Sequence, residues 1–236
     1  MGPGTKRIVI TVAAVLVAAA PGASWADPFV TAADLRADSL LPPPPAPGSP
    51  RALAEIAELK DIAARRTPAD FDAAARDAHD ETGAFFAGAI GPGFDFAKLP
   101  ATARLLSDVH DSEEAVTKDA KTFFHRDRPW IAAPDLKTCT PEKPGPAPTS
   151  YPSGHATVGY AMGVVLAALM PAKAQAILAR SQSYAESRLV CSVHFRSDIE
   201  AGQAFGTALG LKLLQTPAFR AEFDAAAAEL SAAHLR

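Results

Sequence analysis

His155-Ala156-Thr157-Val158-Gly159-Tyr160-Ala161-Met162-Gly163-Val164-Val165-Leu166-Ala167-Ala168-Leu169-Met170 is apolar on nearly all sides and stops at Pro171. A helix that is apolar all round is buried, in a protein core or in a membrane. This one falls short of the roughly 20 residues that cross a bilayer. It therefore predicts a central buried helix, with other helices packed around it. Pro152 leads into it and Ser153 is a natural cap.

Working outward, the same period recurs. Ser49-Pro50 starts a helix as cap and first-turn proline, and Leu53, Ile56, Leu59 and Ile62 follow every three residues. Thr67-Pro68 and Leu99-Pro100 open two more helices, the second running through Leu105, Val109, Val116 and Phe123 to about Arg126. Gly88, Gly91, Pro92 and Gly93 between them read as a loop that lacks the lysine and spacing of a P-loop. A Pro-rich connection spans Pro134 to Pro152. Pro171–Arg180, Asp198–Leu214 and Pro217–Leu235 are further helical segments. With no useful strand alternation and no internal repeat, the expected fold is all-α, a single-domain helical bundle.

The N-terminus reads differently. Lys6 and Arg7 precede an apolar run from Ile8 to Ala20, and Ser24 and Ala26 are small residues at the positions a signal peptidase reads. This predicts a signal peptide over 1–26, cleaved after Ala26, and a periplasmic or secreted protein with no membrane span once the signal is removed. Residues 27–48, with Pro42-Pro43-Pro44-Pro45-Ala46-Pro47, form an extended arm, and 49–236 the domain.

Composition narrows the function. The chain is 48% hydrophobic and 21% charged, which excludes wholesale disorder. Its formal net charge is −3, and becomes −5 once the signal, with two basic and no acidic residues, is gone. No nucleic-acid binding is expected of such a chain. Two cysteines exclude a disulfide-dense scaffold and a four-thiolate zinc site. In an oxidising compartment Cys139 and Cys191 are expected to form a disulfide. Closing a loop of that length contributes about 4 kcal/mol in the chain-entropy view.

Three clusters carry the chemistry. In Lys121-Thr122-Phe123-Phe124-His125-Arg126-Asp127-Arg128-Pro129, Lys121 and Arg128 are two helical turns apart and share a face if the helix persists. In Tyr151-Pro152-Ser153-Gly154-His155, a helix start with a glycine offers free amides to an anion. In Ser187-Arg188-Leu189-Val190-Cys191-Ser192-Val193-His194-Phe195-Arg196-Ser197-Asp198, His194 and Asp198 are four apart. On a helix the carboxylate would hold one imidazole nitrogen and leave the other free. Each cluster alone is also what a solvated basic face, a plain helix cap or a surface His–Asp pair looks like. Together, three cations, an amide nest and two histidines suit a tetrahedral oxyanion and phosphoryl transfer.

Lys121-x6-Arg128-Pro129, Pro152-Ser153-Gly154-His155 and Ser187-Arg188-x5-His194-x3-Asp198 resemble the tripartite signature of the PAP2 superfamily. That superfamily includes bacterial non-specific acid phosphatases, lipid phosphatases and vanadium haloperoxidases. The likeness is to the class A bacterial acid phosphatases, extends to Leu40–Pro45, Thr138-Cys139 and Pro217-Ala218-Phe219, and is weakest from Arg51 to Lys98. It implies a helical bundle of the PAP2/haloperoxidase type and a metal-independent acid phosphatase acting on phosphate monoesters. His194 would be the nucleophile of a phosphohistidine intermediate, oriented by Asp198, and His155 the general acid and base. Lys121, Arg128, Ser153, Gly154 and Arg188 would bind the phosphate. No cofactor or metal is implied. Vanadate is expected to inhibit, and a homo-oligomer is compatible with the arm. Trp130 stands where the family often has phenylalanine, which bears on pocket shape. His125 has no role in the signature, and His79, His110 and His234 read as surface residues. The alternatives are a vanadium-dependent haloperoxidase and a non-catalytic periplasmic phosphate-binding protein.

Overall fold

A computed structural model describes residues 1–2, 27–140 and 148–236. The predicted signal with its cleavage point, and part of the Pro-rich connection, lie outside the described residues.

In chain order the helices are α1 (Ala37–Leu40), α2 (Pro50–Arg65), α3 (Pro68–Asp77), α4 (Ala87–Ile90), α5 (Pro100–Phe124), α6 (Pro129–Ala132), α7 (Gly154–Leu169), α8 (Ala174–Val190), α9 (Arg196–Gln215) and α10 (Pro217–Ala232). Single 3₁₀ turns at Ala84–Phe86 and Pro171–Lys173 lead into α4 and α8. No strand occurs among the described residues, so the all-α, single-domain expectation is borne out.

α7 is the predicted central helix. Val158, Ala161, Met162, Val165, Leu166 and Leu169 are fully buried. α9 lies against it through Gly202, Gly206 and Gly210, each with a would-be Cβ against the α7 backbone or a side chain of α7. α8 closes the other side, where Tyr184 and Ser181 fill the space left by Gly159 and Gly163. α5 and α10 complete the main core with Leu105, Leu106, Val109, Phe219 and Leu230.

The helix starts follow the sequence. Ser49 accepts from the Ala52 amide at 3.3 Å to cap α2. Thr67 and Asp70 form a capping box on α3. α5 starts at Pro100 without a capping side chain of its own. Instead Glu229 of α10 accepts from the amides of Ala101 and Thr102 at 2.9 and 2.8 Å. The arm packs on the bundle: Val30, Ala37 and Leu41 join the main core, and the Tyr151 hydroxyl donates to the Pro42 carbonyl at 2.6 Å.

Several local expectations are corrected. The α2 stripe is rotated, so that Leu53 is 56% exposed while Ala52, Glu55 and Leu59 face inward. α5 stops at Phe124, and Phe123 points outward. Gly88 lies within α4, and only Gly91 and Gly93 take the positive φ of a turn. α8 continues past Arg180 to Val190. Its inward face carries Ser181, Tyr184 and Arg188, and polar groups there interrupt the apolar rhythm that marks a helix in sequence.

Candidate active site

The three clusters meet around one cavity of about 1070 Å³, whose wall includes Lys121, Arg128, Gly154, His155, Arg188 and His194. Ser153 and Asp198, both fully buried, stand behind these residues.

Each cluster reaches the cavity by its own local structure. Lys121 is in the last turn of α5. His125 then adopts φ 52°, left-handed, and its amide closes on the Lys121 carbonyl. The helix therefore does not persist to Arg128, which a short extended segment delivers instead. At α7, Ser153 is the cap and accepts from the Ala156 amide at 3.3 Å. Its own amide donates to the Asp198 carbonyl at 3.0 Å, joining the starts of α7 and α9. A Cβ on Gly154 would stand 3.2 Å from Lys121 Nζ and 3.3 Å from Glu113 Oε1, so any larger residue would crowd the start of α7. α8 ends in a Schellman turn. The Val193 amide bonds Arg188 O and the Ser192 amide bonds Leu189 O, with Ser192 at φ 57°. Cys191 in this turn is bonded to Cys139, as the two-cysteine count suggested.

His194 and Asp198 are paired across the start of α9, not along a helix: α9 begins at Arg196. Nδ1 of His194 is 3.3 Å from Asp198 Oδ2. That oxygen also accepts from Ser150 Oγ at 2.6 Å and the Phe195 amide at 2.8 Å, and Oδ1 accepts from Arg126 at 2.6 Å. Burial pushes the Asp198 carboxyl up to about 6, against Arg126, Ser150 and the Phe195 amide, which favour the anion.

The other ring nitrogen fixes the tautomer. Arg128 Nη1 lies 2.8 Å from His194 Nε2. A guanidinium can only donate, so Nε2 must hold a lone pair and Nδ1 the proton. Burial, then Arg128, Arg188 and Lys121, hold His194 well below the ordinary imidazole range. The ring is thus neutral, with Nε2 aimed at the cations. Burial also lowers Arg128 to about 10, and depresses Lys121 and Arg188. Arg188 is 5% exposed and its Nε and Nη1 have no partner among the described residues. Leaving two nitrogens of a buried guanidinium unpaired is costly, and an anion in the cavity would satisfy them.

His155 is held at both nitrogens. Nδ1 is 2.9 Å from Glu81 Oε1 and Nε2 is 3.2 Å from the Ala78 carbonyl. Trp130 lies off the cavity wall, 5.6 Å from the Arg128 guanidinium, against the cluster around Cys191. It therefore supports Arg128 and does not shape the pocket directly. His125 is on the cavity wall. His79 and His234 are exposed as expected, but His110 is a correction. It lines the cavity with its Nε2 3.9 Å from Glu81 Oε2.

Sequence reasoning missed Glu81, Glu113, Arg126, Ser150 and Glu55. Arg126 stood in the first quoted cluster, and its bridging of Asp198 to Glu55, at 2.6 Å each, gives it a structural reason. Nothing in the sequence singles out Glu55 or Glu81. Among the described residues, no group of three or more His, Cys, Asp or Glu is arranged to hold a metal ion, and none of the helices is long and apolar enough to cross a membrane.

Known proteins resemble this chain in sequence and in fold. The family description matching the chain is the PAP2 superfamily, over residues 112–221. The chain is similar to an acid phosphatase of Zymomonas mobilis, 34% identical over 63% of this chain and 56% of that one. It thus spans little more than half the length of that relative. It is also similar to the non-specific acid phosphatase of Providencia stuartii, at 29% over 82% and 80% of the two chains. The Salmonella typhimurium non-specific acid phosphatase matches at 27% over 91% and 88%. In fold the chain resembles Aquifex aeolicus LpxE, with a TM-score of 0.54 and 21% identity over 69% of this chain and 95% of that one. A transmembrane PAP2-type phosphatidylglycerolphosphate phosphatase from Bacillus subtilis scores 0.51, at 22% over 68% and 83%.

Proposed function

We propose that the chain is an acid phosphatase that hydrolyses phosphate monoesters through a phosphohistidine on His194. The observation that carries this is the neutral His194, with Nε2 2.8 Å from Arg128 Nη1 and with the buried Arg188, unpaired at Nε and Nη1, lining the same cavity. In the first step Nε2 attacks phosphorus, the N–P bond forms and the ester P–O bond breaks. His155 gives its proton to the leaving oxygen. In the second step His155 takes a proton from water, the water oxygen bonds phosphorus, and the N–P bond breaks to release phosphate. Arg128, Arg188, Lys121 and the Gly154 amide stabilise the equatorial oxygens in both steps, with Ser153 holding the cradle from behind. These cations supply charge that other phosphatases take from metal ions, so turnover needs no added divalent ion.

A nucleophile whose proton is lost well below the usual range stays reactive in acid, which supports an acidic working pH. We further propose residues 1–26 as an export signal, 27–48 as an arm and 49–236 as the catalytic domain, in a periplasmic or secreted protein. The basic start, apolar run and Ala26 site, and the Cys139–Cys191 bridge, support that reading.

The test is hydrolysis of p-nitrophenyl phosphate at acidic pH in EDTA, with vanadate as inhibitor. His194→Ala is expected to lower turnover by at least about 10³-fold while leaving the circular dichroism unchanged. Turnover only with added divalent metal, or survival of activity in His194→Ala, would contradict the mechanism.

A further inference from the structure

We propose that Glu81 is the positioning residue of the general acid, holding the His155 ring with its Nδ1 proton at the cavity wall. The inference rests on the acid–base role of His155 given above. Glu81 lies in the loop between α3 and the 3₁₀ turn at Ala84–Phe86, inside the stretch where the family signature assigns nothing.

The contacts set the protonation of the ring. Glu81 Oε1 and the Ala78 carbonyl, on either side of it, are both acceptors. Only an imidazolium, with a proton on each nitrogen, satisfies both. Ala78 is off the cavity wall and Glu81 is on it, so the Nδ1 proton, shared with Glu81, is the one on the cavity side of the ring. Tyr184 fixes the arrangement twice. Its ring stacks on His155 with centroids 5.7 Å apart and planes 19° apart, and its hydroxyl donates to the Asp80 carbonyl at 2.7 Å. One side chain thus sets the plane of the acid and the place of the loop that carries its partner.

The surrounding charges explain why a carboxylate is needed there. Burial first, then Arg188 on α8, hold the His155 pKa below the ordinary imidazole range, and Glu81 and the Ala78 carbonyl oppose that loss of the proton. His194, beyond the start of α7, is neutral. On α5, His110 faces the second Glu81 oxygen and Lys121 and Glu113 stand nearby. His110 and His155 together hold the Glu81 carboxyl far below the usual carboxylate range. Glu81 therefore remains an anion in acid, when the acid catalyst must be protonated. The proton balance closes over one turnover. The Nδ1 proton goes to the leaving oxygen as the P–O bond breaks, and the attacking water returns a proton to the neutral ring beside Glu81.

The test compares kcat/KM for p-nitrophenyl phosphate, whose phenolate leaves with little proton assistance, and for glycerol 2-phosphate, whose alkoxide needs it. Glu81→Gln keeps the size and removes the charge. It is expected to lose about 10–100-fold on the alkyl ester and far less on the aryl ester. The basic limb of its pH profile is expected to move about 1 unit lower. His155→Ala is expected to show the same split, and adding Glu81→Gln to it is expected to cost nothing further. Equal losses of Glu81→Gln on both esters, no loss on either, or an additive double variant would overturn the role of Glu81. A His155→Ala variant with equal losses on both esters would instead overturn the acid role of His155 on which it rests.

Discussion

Glu113 is a carboxyl that the proposed reaction does not use, yet it is 4% exposed and stands beside Lys121 Nζ at the Gly154 cradle. Burial pushes it up to about 7, against the Thr117 hydroxyl and the charges of Lys121 and His110, with Glu81 adding to the rise. Its folded pKa lies above its unfolded one. The stability it contributes is therefore complete below about 4.5 and is lost as pH rises through about 7. Glu113→Gln is expected to match the wild type near pH 4 and to exceed it above pH 7, by at most on the order of 3 kcal/mol, in denaturant titrations across pH. The same ionisation puts a negative charge next to a phosphate ligand, so KM is expected to rise above pH 7 in the wild type and to stay flatter in Glu113→Gln. Identical KM profiles would show that Glu113 does not sense the bound phosphate. At this scale the signature residues were legible because their chemistry and spacing are unusual together. Glu81 and Glu113 were not, because an acidic residue in a helical or loop pattern reads as solvated surface. Only the fold shows which acids are turned inward.

At the scale of elements, the contact between α7 and α9 sets the site. The amide of Ser153 and the carbonyl of Asp198 tie the two helix starts together, and the glycines of α9 let the axes approach. A Cβ at Gly202 would stand 2.7 Å from the Ser153 carbonyl, and one at Gly206 would press on the Thr157 carbonyl. Backbone cannot yield as a flexible side chain does. Gly206→Ala is therefore expected to cost about 1–3 kcal/mol, read as a lowered Tm, and to reduce kcat by shifting α7 against the His194–Asp198 pair. An unchanged Tm would mean that the helices have slack there. α7 was legible from its uninterrupted apolar run. The end of α5 was not, because His125 ends it in a left-handed conformation that no glycine announces. The His194–Asp198 pair was legible as a contact but not as a geometry, since the spacing that joins residues along a helix also joins them across its start.

Over the whole molecule, a covalent tie, a buried ionic chain and a packed arm converge behind the cavity. Glu55 on α2, Arg126 after α5 and Asp198 on α9 form one chain of bonds, with Arg126 and both acids almost free of solvent. The disulfide anchors the turn that carries His194 to the segment after α6. Replacing both cysteines with serine is expected to lower stability by about 2–4 kcal/mol in guanidinium titrations, and a midpoint equal to the wild type would assign the bridge no role in the fold. The all-helical bundle was legible from periodicity, and the residues that gather at the candidate site from their spacing. The links between elements distant in sequence were not, because a single buried acid such as Glu55 leaves no pattern. The central claim is the covalent use of His194, and rapid acid-avoiding quench of the enzyme turning over ³²P-labelled phosphate monoester tests it most directly. The account predicts acid-labile, alkali-stable phosphate on the peptide containing His194, absent from His194→Ala. Burst-free turnover with no labelled histidine, or label that persists in His194→Ala, would contradict it.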